Sequence, residues 1–509
     1  MKKKNKFYHL LAGILLAIPL LLHGVFGIEA VKANGDTIDT NQTVNIHLHK
    51  RAWAEGQQPT DPIANTGEEM DFGGDPLNGV TFKAYDVSDD FRKLRKTGST
   101  AEEATKAIQK QADTLAANLK AVDSQKTTGK GLADFNNLPI ADANGYKTYL
   151  IVETDADADT NVSQPAAPIV LNMPIYKDGS NSEINTNVHV YPKNEKSDEF
   201  TKDLDDASKA ALKVTVNGET HYNAQYGDTF GYEIKVAVPW SVKNKDTFTI
   251  TDTPDKGIKV DLDSVAIEGL EKVKDYTVAT NGDGYKVTFD TQSSAVQKMA
   301  GKRLSVKYNV TLTNDAVPDT LIGNEATLGF GNKTTPDYND TTVPGPDIET
   351  GGARFIKQDK DSNKTLAGAK FQLVKLNKEG NVTAYAHLTD KGYVWEDTAA
   401  NAQSYTSDDN GQIAIPGLTW SKKEFKNGES YALVETKAPE GYAKLSDPVK
   451  FTVEKGSYSK SRAIEIDNVH KGILPSTGGH GIYLYLLAGV LIVIVAATGY
   501  HFSKHREEV

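Results

Sequence analysis

Lysine, glutamate and asparagine residues recur in the same order in two distant parts of the chain. Each copy has a lysine that ends an apolar stretch, a glutamate on a strand-like segment, and an asparagine that opens an Asn-Val-His triplet. These positions are Lys50, Glu153 and Asn187 in the first copy, and Lys357, Glu435 and Asn468 in the second. Similar segments at 77–82 and 366–371 lie between the lysine and the glutamate of each copy. The repeat predicts two copies of one fold.

These residue types could join two side chains covalently. Burial lowers the pKa of a lysine and raises that of a carboxylic acid, so a neutral amine can coexist with a protonated acid. The amine can then attack an asparagine amide with loss of ammonia, while the acid moves the protons. Fixed proximity supplies an effective molarity of roughly 10⁵ M or more. The alternative is a buried ion pair without a bond.

Alternating apolar residues predict the strands that would hold such groups. Residues 230–238 and 304–312 are apolar at every second position, as in a half-buried strand. Asn-Gly pairs at 217–218 and 281–282 mark turns at the spacing of a β-sandwich. The predicted fold class is therefore all-β, with tandem immunoglobulin-like sandwiches. Residues 100–122 are rich in Ala, Lys and Gln and predict a helical insertion in the first sandwich.

Proline and glycine divide the chain near Pro192 and at 344–346, where we expect module boundaries. The predicted organisation is a signal peptide at 1–33, a first module at 34–192, a middle module at 193–346, a last module at 347–472 and a C-terminal signal at 473–509.

Composition narrows the class of protein. Of 509 residues, 38 % are hydrophobic and none is cysteine, which indicates globular modules without disulfides. A net charge of −11 argues against a nucleic-acid partner, which requires a clustered basic surface. We find neither a Gly-x-Ser-x-Gly nor a His-Glu-x-x-His motif of a hydrolase. The sequence predicts no enzyme, no cofactor and no metal site.

The N terminus predicts export. Lysines at positions 2, 3, 4 and 6 precede an apolar run at 10–26, and a small-x-small site ends at Ala33. This is the order of a signal peptide, with cleavage after Ala33. A retained membrane anchor is the alternative, but Pro19 interrupts the short run.

The C terminus predicts attachment to a cell surface. Residues 482–500 are uncharged and long enough to span a bilayer, and Lys504 and Arg506 follow them. Directly before this run stands the pentapeptide Leu474, Pro475, Ser476, Thr477 and Gly478. The whole resembles the sortase sorting signal of Gram-positive surface proteins. The resemblance implies cleavage between Thr477 and Gly478 and transfer of the threonyl carbonyl to an amine.

Two further motifs extend the resemblance to a family. The E-box of Gram-positive pilins is matched by Tyr431, Leu433, Glu435, Thr436, Ala438, Pro439, Gly441 and Tyr442. Residues 188–193 (Val-His-Val-Tyr-Pro-Lys) resemble the pilin motif, although Ile184 stands where that motif has tryptophan. The chain thus resembles the backbone pilins of the Spa type, with Cna B-like modules at both ends and a Cna A-type module between them.

The resemblance implies that subunits are joined by sortase. Lys193 would be the nucleophile and Thr477 the acyl donor, with Lys196 the alternative nucleophile. The implied partners are pilin-specific and housekeeping sortases, identical subunits in a covalent homopolymer, minor pilins, peptidoglycan and host surface ligands.

The resemblance also implies a Lys–Asn isopeptide bond inside each module. In the last module it assigns Lys357 and Asn468 with Glu435 as the acid. By internal repeat, Lys50, Asn187 and Glu153 take these places in the first module. In the middle module it suggests Lys213, Asn324 and Asp252, with Lys209 the rival amine.

The expected function is that of a structural shaft subunit of a wall-anchored surface pilus that supports adhesion. A monomeric wall adhesin or a fibre-tip subunit is the alternative, and the insertion at 100–122 would then carry the binding surface.

Overall fold

The computed structural model describes residues 38–59, 63–197, 199–426, 428–472 and 481–504. The predicted signal peptide and the sorting pentapeptide at 474–478 lie outside this part of the chain. Over the described residues the protein is mostly β-sheet, which confirms the predicted all-β class.

The first module has twelve strands and a three-helix insertion. In chain order its elements are β1 Thr43–His49, β2 Arg51–Ala54, β3 Asp75–Pro76, β4 Val80–Asp86, α1 Ser88–Lys96, α2 Ala101–Lys110, α3 Ala112–Asn118, β5 Asp123–Lys126, β6 Leu132–Pro139, β7 Ala141–Asp142, β8 Gly145–Tyr146, β9 Thr148–Ala156, β10 Ile169–Asn172, β11 Asn187–Val190 and β12 Lys193–Lys196. The sheets have the strand orders β11-β1-β6, β10-β9-β4-β5, β12-β2-β3 and β7-β8. Strands β11 and β12 run parallel to β1 and β2.

Two of these elements differ from the prediction. The module continues past Pro192, because β12 pairs with β2 from Lys193 to Lys196. The insertion begins at Ser88 rather than at Thr100 and contains three helices. Thr100 is the N-cap of α2, in a capping box with Glu103, which stabilises a helix start at this position.

The middle module is a sandwich of a four-stranded and a five-stranded sheet. Its elements are β13 Phe200–Leu204, α4 Asp206–Leu212, β14 Lys213–Val216, β15 Glu219–Tyr222, β16 Thr229–Ala237, a 3₁₀ turn Trp240–Asn244, β17 Thr247–Pro254, β18 Ile258–Ile267, β19 Tyr276–Asn281, β20 Gly284–Phe289, α5 Ser294–Gln297, β21 Arg303–Leu312, β22 Asn324–Gly331 and β23 Tyr338–Pro344. The two large sheets have the orders β13-β16-β21-β18 and β19-β20-β17-β22-β23, and β14 pairs with β15. Strands β16 and β21 confirm the two strands predicted from alternation.

The last module repeats the plan of the first. Its elements are β24 Gly351–Asp359, β25 Lys370–Leu376, β26 Val382–Thr389, β27 Gly392–Glu396, β28 Ser404–Thr406, β29 Gln412–Leu418, α6 Ser421–Glu424, β30 Ser430–Lys437, β31 Val449–Phe451, a 3₁₀ turn Lys460–Arg462 and β32 Ile464–Asn468. The strand orders are β29-β24-β32 and β27-β26-β25-β30-β31, with β28 on β25. A phenylalanine lies opposite the key glutamate in both modules, Phe82 opposite Glu153 and Phe371 opposite Glu435.

The first and middle modules form one compact unit and the last module belongs to a second. Within the first unit, Trp240 of the middle module packs into the hydrophobic core of the first module. A last helix, α7 Gly481–Lys504, ends the described chain. Among the described residues, no helix is both long and apolar enough to count as a membrane span, and the span predicted at 482–500 is not confirmed.

Candidate cross-linking sites

Three buried side chains meet in the first module. Lys50 lies between β1 and β2, Glu153 is on β9 and Asn194 is on β12, and none is more than 4 % exposed. The Lys50 Nζ donates to Glu153 Oε2 at 2.8 Å and also to Asn194 Oδ1. Asn194 Nδ2 donates to Glu153 Oε1 at 2.9 Å. The acid therefore bridges the amine and the amide, as the condensation requires.

The amide at this site is Asn194, and the prediction of Asn187 is wrong. Asn187 is exposed and lies opposite Asn45 in the parallel pair of β1 and β11. Asn45 precedes Lys50 by five residues, or roughly 16 Å of strand, which is too far for a bond. By contrast, Asn194 pairs with Ala52, two residues after Lys50.

The two Asn-Val-His triplets do not occupy equivalent positions in the two modules, although their matching sequence suggested that they do. Asn468 pairs with the residue two positions after Lys357, which is the relation that Asn194 has to Lys50. Asn468 follows the buried residues of its strand, whereas Asn187 precedes those of β11. The position of the asparagine relative to the apolar alternation was the signal that could have found Asn194.

Replacing Asn194 tests this assignment. In Asn194→Ala we expect neither ammonia loss nor a cross-link in the first module, because Lys50 then has no amide to attack. In the matched Asn187→Ala chain the bond should form as in the native chain. Mass spectrometry of the intact chain and of the peptide containing Lys50, after allowance for the substitution, distinguishes the two. Loss of the cross-link in Asn187→Ala instead would contradict the assignment.

The middle module has an equivalent group that spans the sandwich. Lys202 comes from β13 in one sheet, while Asp252 on β17 and Asn324 on β22 come from the other. All three are buried. The Lys202 Nζ donates to Asp252 Oδ1 and, at 3.0 Å, to the carbonyl oxygen of Glu325. A bond between Lys202 and Asn324 would tie the two sheets together.

The predicted amines of this module, Lys213 and Lys209, lie elsewhere. Lys213 is exposed at the start of β14 and pairs with Tyr222. The Lys209 Nζ forms a surface ion pair with Asp203 at 2.6 Å. Neither is the partner of Asp252. The missed signal is the alternation in β13, where Lys202 lies at a buried position between Phe200 and Leu204.

The last module brings the predicted lysine, acid and amide into one buried site. Lys357, Glu435 and Asn468 are at most 2 % exposed. Asn468 Nδ2 donates to Glu435 Oε2 at 3.2 Å. The Lys357 Nζ donates to the carbonyl oxygen of Ile466 at 2.6 Å. Glu435 Oε1 and Asn468 Oδ1 have no hydrogen-bond partner among the described residues, and they are acceptors that a reoriented Lys357 amine would satisfy.

Burial favours the neutral lysine and the protonated acid that the condensation needs. Desolvation lowers the pKa of Lys50, Lys202 and Lys357 to about 8 each, against the opposing effect of the neighbouring acids. Desolvation also raises the pKa of Asp252. A lysine with such a pKa has an appreciable fraction of neutral, nucleophilic amine near neutral pH.

The predicted intersubunit lysine lies next to the first of these sites. Lys193 immediately precedes Asn194 on β12 and pairs with Arg51. It is half-buried, and desolvation lowers its pKa. Its Nζ lies 4.8 Å from the ring centre of Phe72, which in turn stacks on Tyr191 at 5.0 Å. Its predicted acyl partner, Thr477, lies outside the described residues.

Comparison with known proteins agrees with this arrangement. Residues 41–195 match the family described as Gram-positive pilin subunit D1, N-terminal domain. Residues 351–467 match the prealbumin-like fold domain of the SpaA family. Residues 471–509 match the LPXTG cell wall anchor motif.

Relatives match over nearly the whole length. The fimbrial subunit type 2 of Actinomyces naeslundii is 26 % identical over 94 % of this chain and 93 % of its own length. The fimbrial subunit type 1 of Actinomyces viscosus is also 26 % identical, over 98 % of this chain and 97 % of its own. The full-length RrgB pilus protein of Streptococcus pneumoniae is 18 % identical. It covers 86 % of this chain and 99 % of its own at a TM-score of 0.56, which shows a shared fold.

The fold and the anchor motif define a cell-wall-anchored surface protein built from tandem β-sandwich modules. Within that class, the chain carries the domains of Gram-positive pilin subunits, since a pilin domain, a SpaA-type domain and an anchor motif follow one another along it. This confirms the predicted family and the predicted location in a wall-anchored surface pilus.

Proposed function

We propose that the chain is the repeating shaft subunit of the pilus, in which Lys193 of one subunit is joined by sortase to the threonyl carbonyl of Thr477 of the next. Inside each subunit, isopeptide bonds join Lys50 to Asn194, Lys202 to Asn324, and Lys357 to Asn468. Glu153, Asp252 and Glu435 promote them. Each internal bond forms once per molecule, so the chain is a structural protein and not a turnover enzyme.

The observation that carries this proposal is the adjacency of Lys193 and Asn194 on one strand. Force applied by a neighbouring subunit at Lys193 enters the chain one residue away from Asn194. Through the proposed bond the force passes directly to Lys50, which immediately precedes β2. The hydrogen bonds between β2 and β12 are then not the only link that resists it. A shaft subunit needs such a covalent route for tension.

The internal bonds also suit a chain without cysteine. They close loops of about 110 to 145 residues. If loop closure acts as it does for disulfides, each bond adds roughly 4–5 kcal/mol to the free energy of unfolding. Reductants would not break these bonds.

The adhesin alternative receives less support from the structure. The helical insertion was its candidate binding surface, but the apolar residues of α2 and α3 pack against β9 and β10. Ile108 and Ala112 are buried with Leu150 and Val170 in one cluster. The apolar face of the insertion is therefore buried within the first module.

The test is whether the wall contains a covalent polymer. Wall extracts boiled in SDS from sortase-positive cells should give a high-mass ladder with the native chain. A Thr477→Ala chain, which removes the acyl donor, should give no ladder. A native chain that stays monomeric with its pilin sortase present would refute the shaft proposal and favour a monomeric wall adhesin.

A further inference from the structure

The middle module holds its amide differently from the other two. In the first and last modules the asparagine Nδ2 donates directly to the glutamate, at 2.9 Å and 3.2 Å. In the middle module the acid is Asp252, whose side chain is one methylene shorter. There Asn324 Nδ2 donates to the hydroxyl of Tyr308 at 3.3 Å, and that hydroxyl donates to Asp252 Oδ1. A side-chain hydrogen bond from Asn324 also lowers the pKa of Asp252, and the Tyr308 hydroxyl contacts both groups.

Tyr308 is fixed in this place by its surroundings. It lies on β21 opposite Tyr232 of β16, and only 2 % of it is exposed. Its ring stacks on Tyr232 at 5.9 Å and meets Tyr285 edge-on at 4.9 Å. Burial raises the pKa of Tyr308 far above its usual value, so the hydroxyl is protonated before the reaction and can pass its proton on only as it receives another from the acid.

We propose that Tyr308 is a catalytic residue of the middle-module cross-link, which relays a proton from Asp252 to the departing amide nitrogen of Asn324. The inference rests on the proposed Lys202–Asn324 bond. Its basis is that the Tyr308 hydroxyl contacts both the acid and the nitrogen that must leave.

The proton transfers balance. The Lys202 Nζ bonds to Cγ of Asn324 and loses one proton to Asp252. The bond between Cγ and Nδ2 breaks, and Nδ2 takes the hydroxyl proton of Tyr308 and leaves as ammonia. Tyr308 recovers a proton from Asp252. Asp252 and Tyr308 end in the protonation states in which they began, and the reaction needs no oxidant or reductant.

The neighbouring Tyr285 offers a matched control. It is as deeply buried as Tyr308 and contacts the same cluster, but its hydroxyl has no hydrogen-bond partner among the described residues. Removing either hydroxyl takes one oxygen atom from the same aromatic cluster. Only the loss of the Tyr308 hydroxyl would break the relay.

The experiment follows ammonia loss from the middle module after cell-free synthesis of the mature chain, by mass spectrometry of the cross-linked peptide. In Tyr308→Phe we expect the rate to fall roughly 100-fold or more, the usual contribution of a positioned proton donor. In Tyr285→Phe it should be native. A native rate in Tyr308→Phe would overturn the relay and leave the bond itself intact. Absence of the middle bond from the native chain would instead overturn the proposed function of this site.

A double variant separates chemistry from structure. Asp252→Glu combined with Tyr308→Phe gives the middle module the longer acid of the other two modules, which contacts the amide without help. We expect it to restore cross-linking, which a purely structural role of the hydroxyl would not allow. If Tyr308→Phe fails to fold, a fluorinated tyrosine at position 308 decides the question, because it keeps the ring and the hydroxyl but makes that hydroxyl more acidic. The rate of ammonia loss should then change, and an unchanged rate would contradict the relay. A double variant that melts cooperatively but stays uncross-linked would contradict the relay.

Discussion

Cells that express Lys193→Ala are expected to contain only monomeric subunit in boiled SDS wall extracts, where the native chain gives a ladder. Alanine removes the proposed nucleophile, so the acyl group held by the sortase finds no amine on the next subunit. We expect an all-or-none effect because every junction of the proposed shaft would use this residue. Immunoblotting of the extracts measures it.

Two control variants make the result specific. Lys196→Ala removes the alternative nucleophile, which lies on the same strand, and its ladder should remain native. Lys193→Arg keeps the positive charge but replaces the amine with a guanidinium that stays protonated in proteins, so the ladder should disappear. A ladder that survives Lys193→Ala and collapses in Lys196→Ala would move the junction to Lys196.

The environment of Lys193 explains why this amine would be the reactive one. Partial burial lowers its pKa, which enlarges the neutral fraction that can attack an acyl group. The face of the Phe72 ring attracts the charged form and holds the Nζ in place. Pro192 restricts the backbone just before Lys193, so the amine is presented from a defined strand rather than a loose loop.

The acids of the cross-linking sites were predictable from local sequence. Glu153 and Glu435 each interrupt an apolar run, and the structure buries them. Asp252 likewise lies among buried residues of β17. A carboxylate in such a run must find a buried partner, because an unpaired charge there is costly. The sequence alone therefore indicates that a polar site exists in each module.

The partners of these acids were harder to predict because they depend on register between distant strands. A shift of register by two residues in a parallel pair changes which residue lies beside the lysine but keeps the apolar alternation, whereas a one-residue shift would turn every side chain to the other face. The Asn-Val-His triplet selected Asn187, but the pairing of β12 with β2 selects Asn194. In the middle module, a family pattern favoured Lys213, whereas the alternation within β13 identifies Lys202.

The two kinds of module place the bond differently. In the last module the lysine and the asparagine belong to neighbouring parallel strands. In the first module the lysine directly precedes β2, which is the parallel neighbour of the strand that carries the asparagine. In the middle module Lys202 and Asn324 belong to different sheets, so the proposed bond would cross the hydrophobic core. Tension applied to the middle module would otherwise be able to separate its sheets. The loss of this cross-core bond should therefore have a large effect on stability.

Lys202→Ala is accordingly expected to destabilise the middle module strongly. Without the bond, roughly 5 kcal/mol of loop-closure stabilisation is lost, which lowers the melting temperature of a module of this size by roughly 10–20 °C. In this variant Asn324 also keeps its amide nitrogen, and mass spectrometry detects this as the absence of ammonia loss. Calorimetry of the mature chain measures the transition of the middle module.

Lys213→Ala is the matched control, because it removes a lysine of the same module at an exposed position. Its stability should stay within about 0.5 kcal/mol of native, and its cross-link should form. An uncross-linked Lys213→Ala chain, or a native melting temperature in Lys202→Ala, would contradict the assignment of Lys202. In a third outcome, Lys202→Ala melts at a lower temperature than the native chain, but Asn324 keeps its amide nitrogen in the native chain as well. Lys202 and Asp252 would then stabilise the core as an ion pair. The covalent bond would then be refuted while the geometry of the site stands.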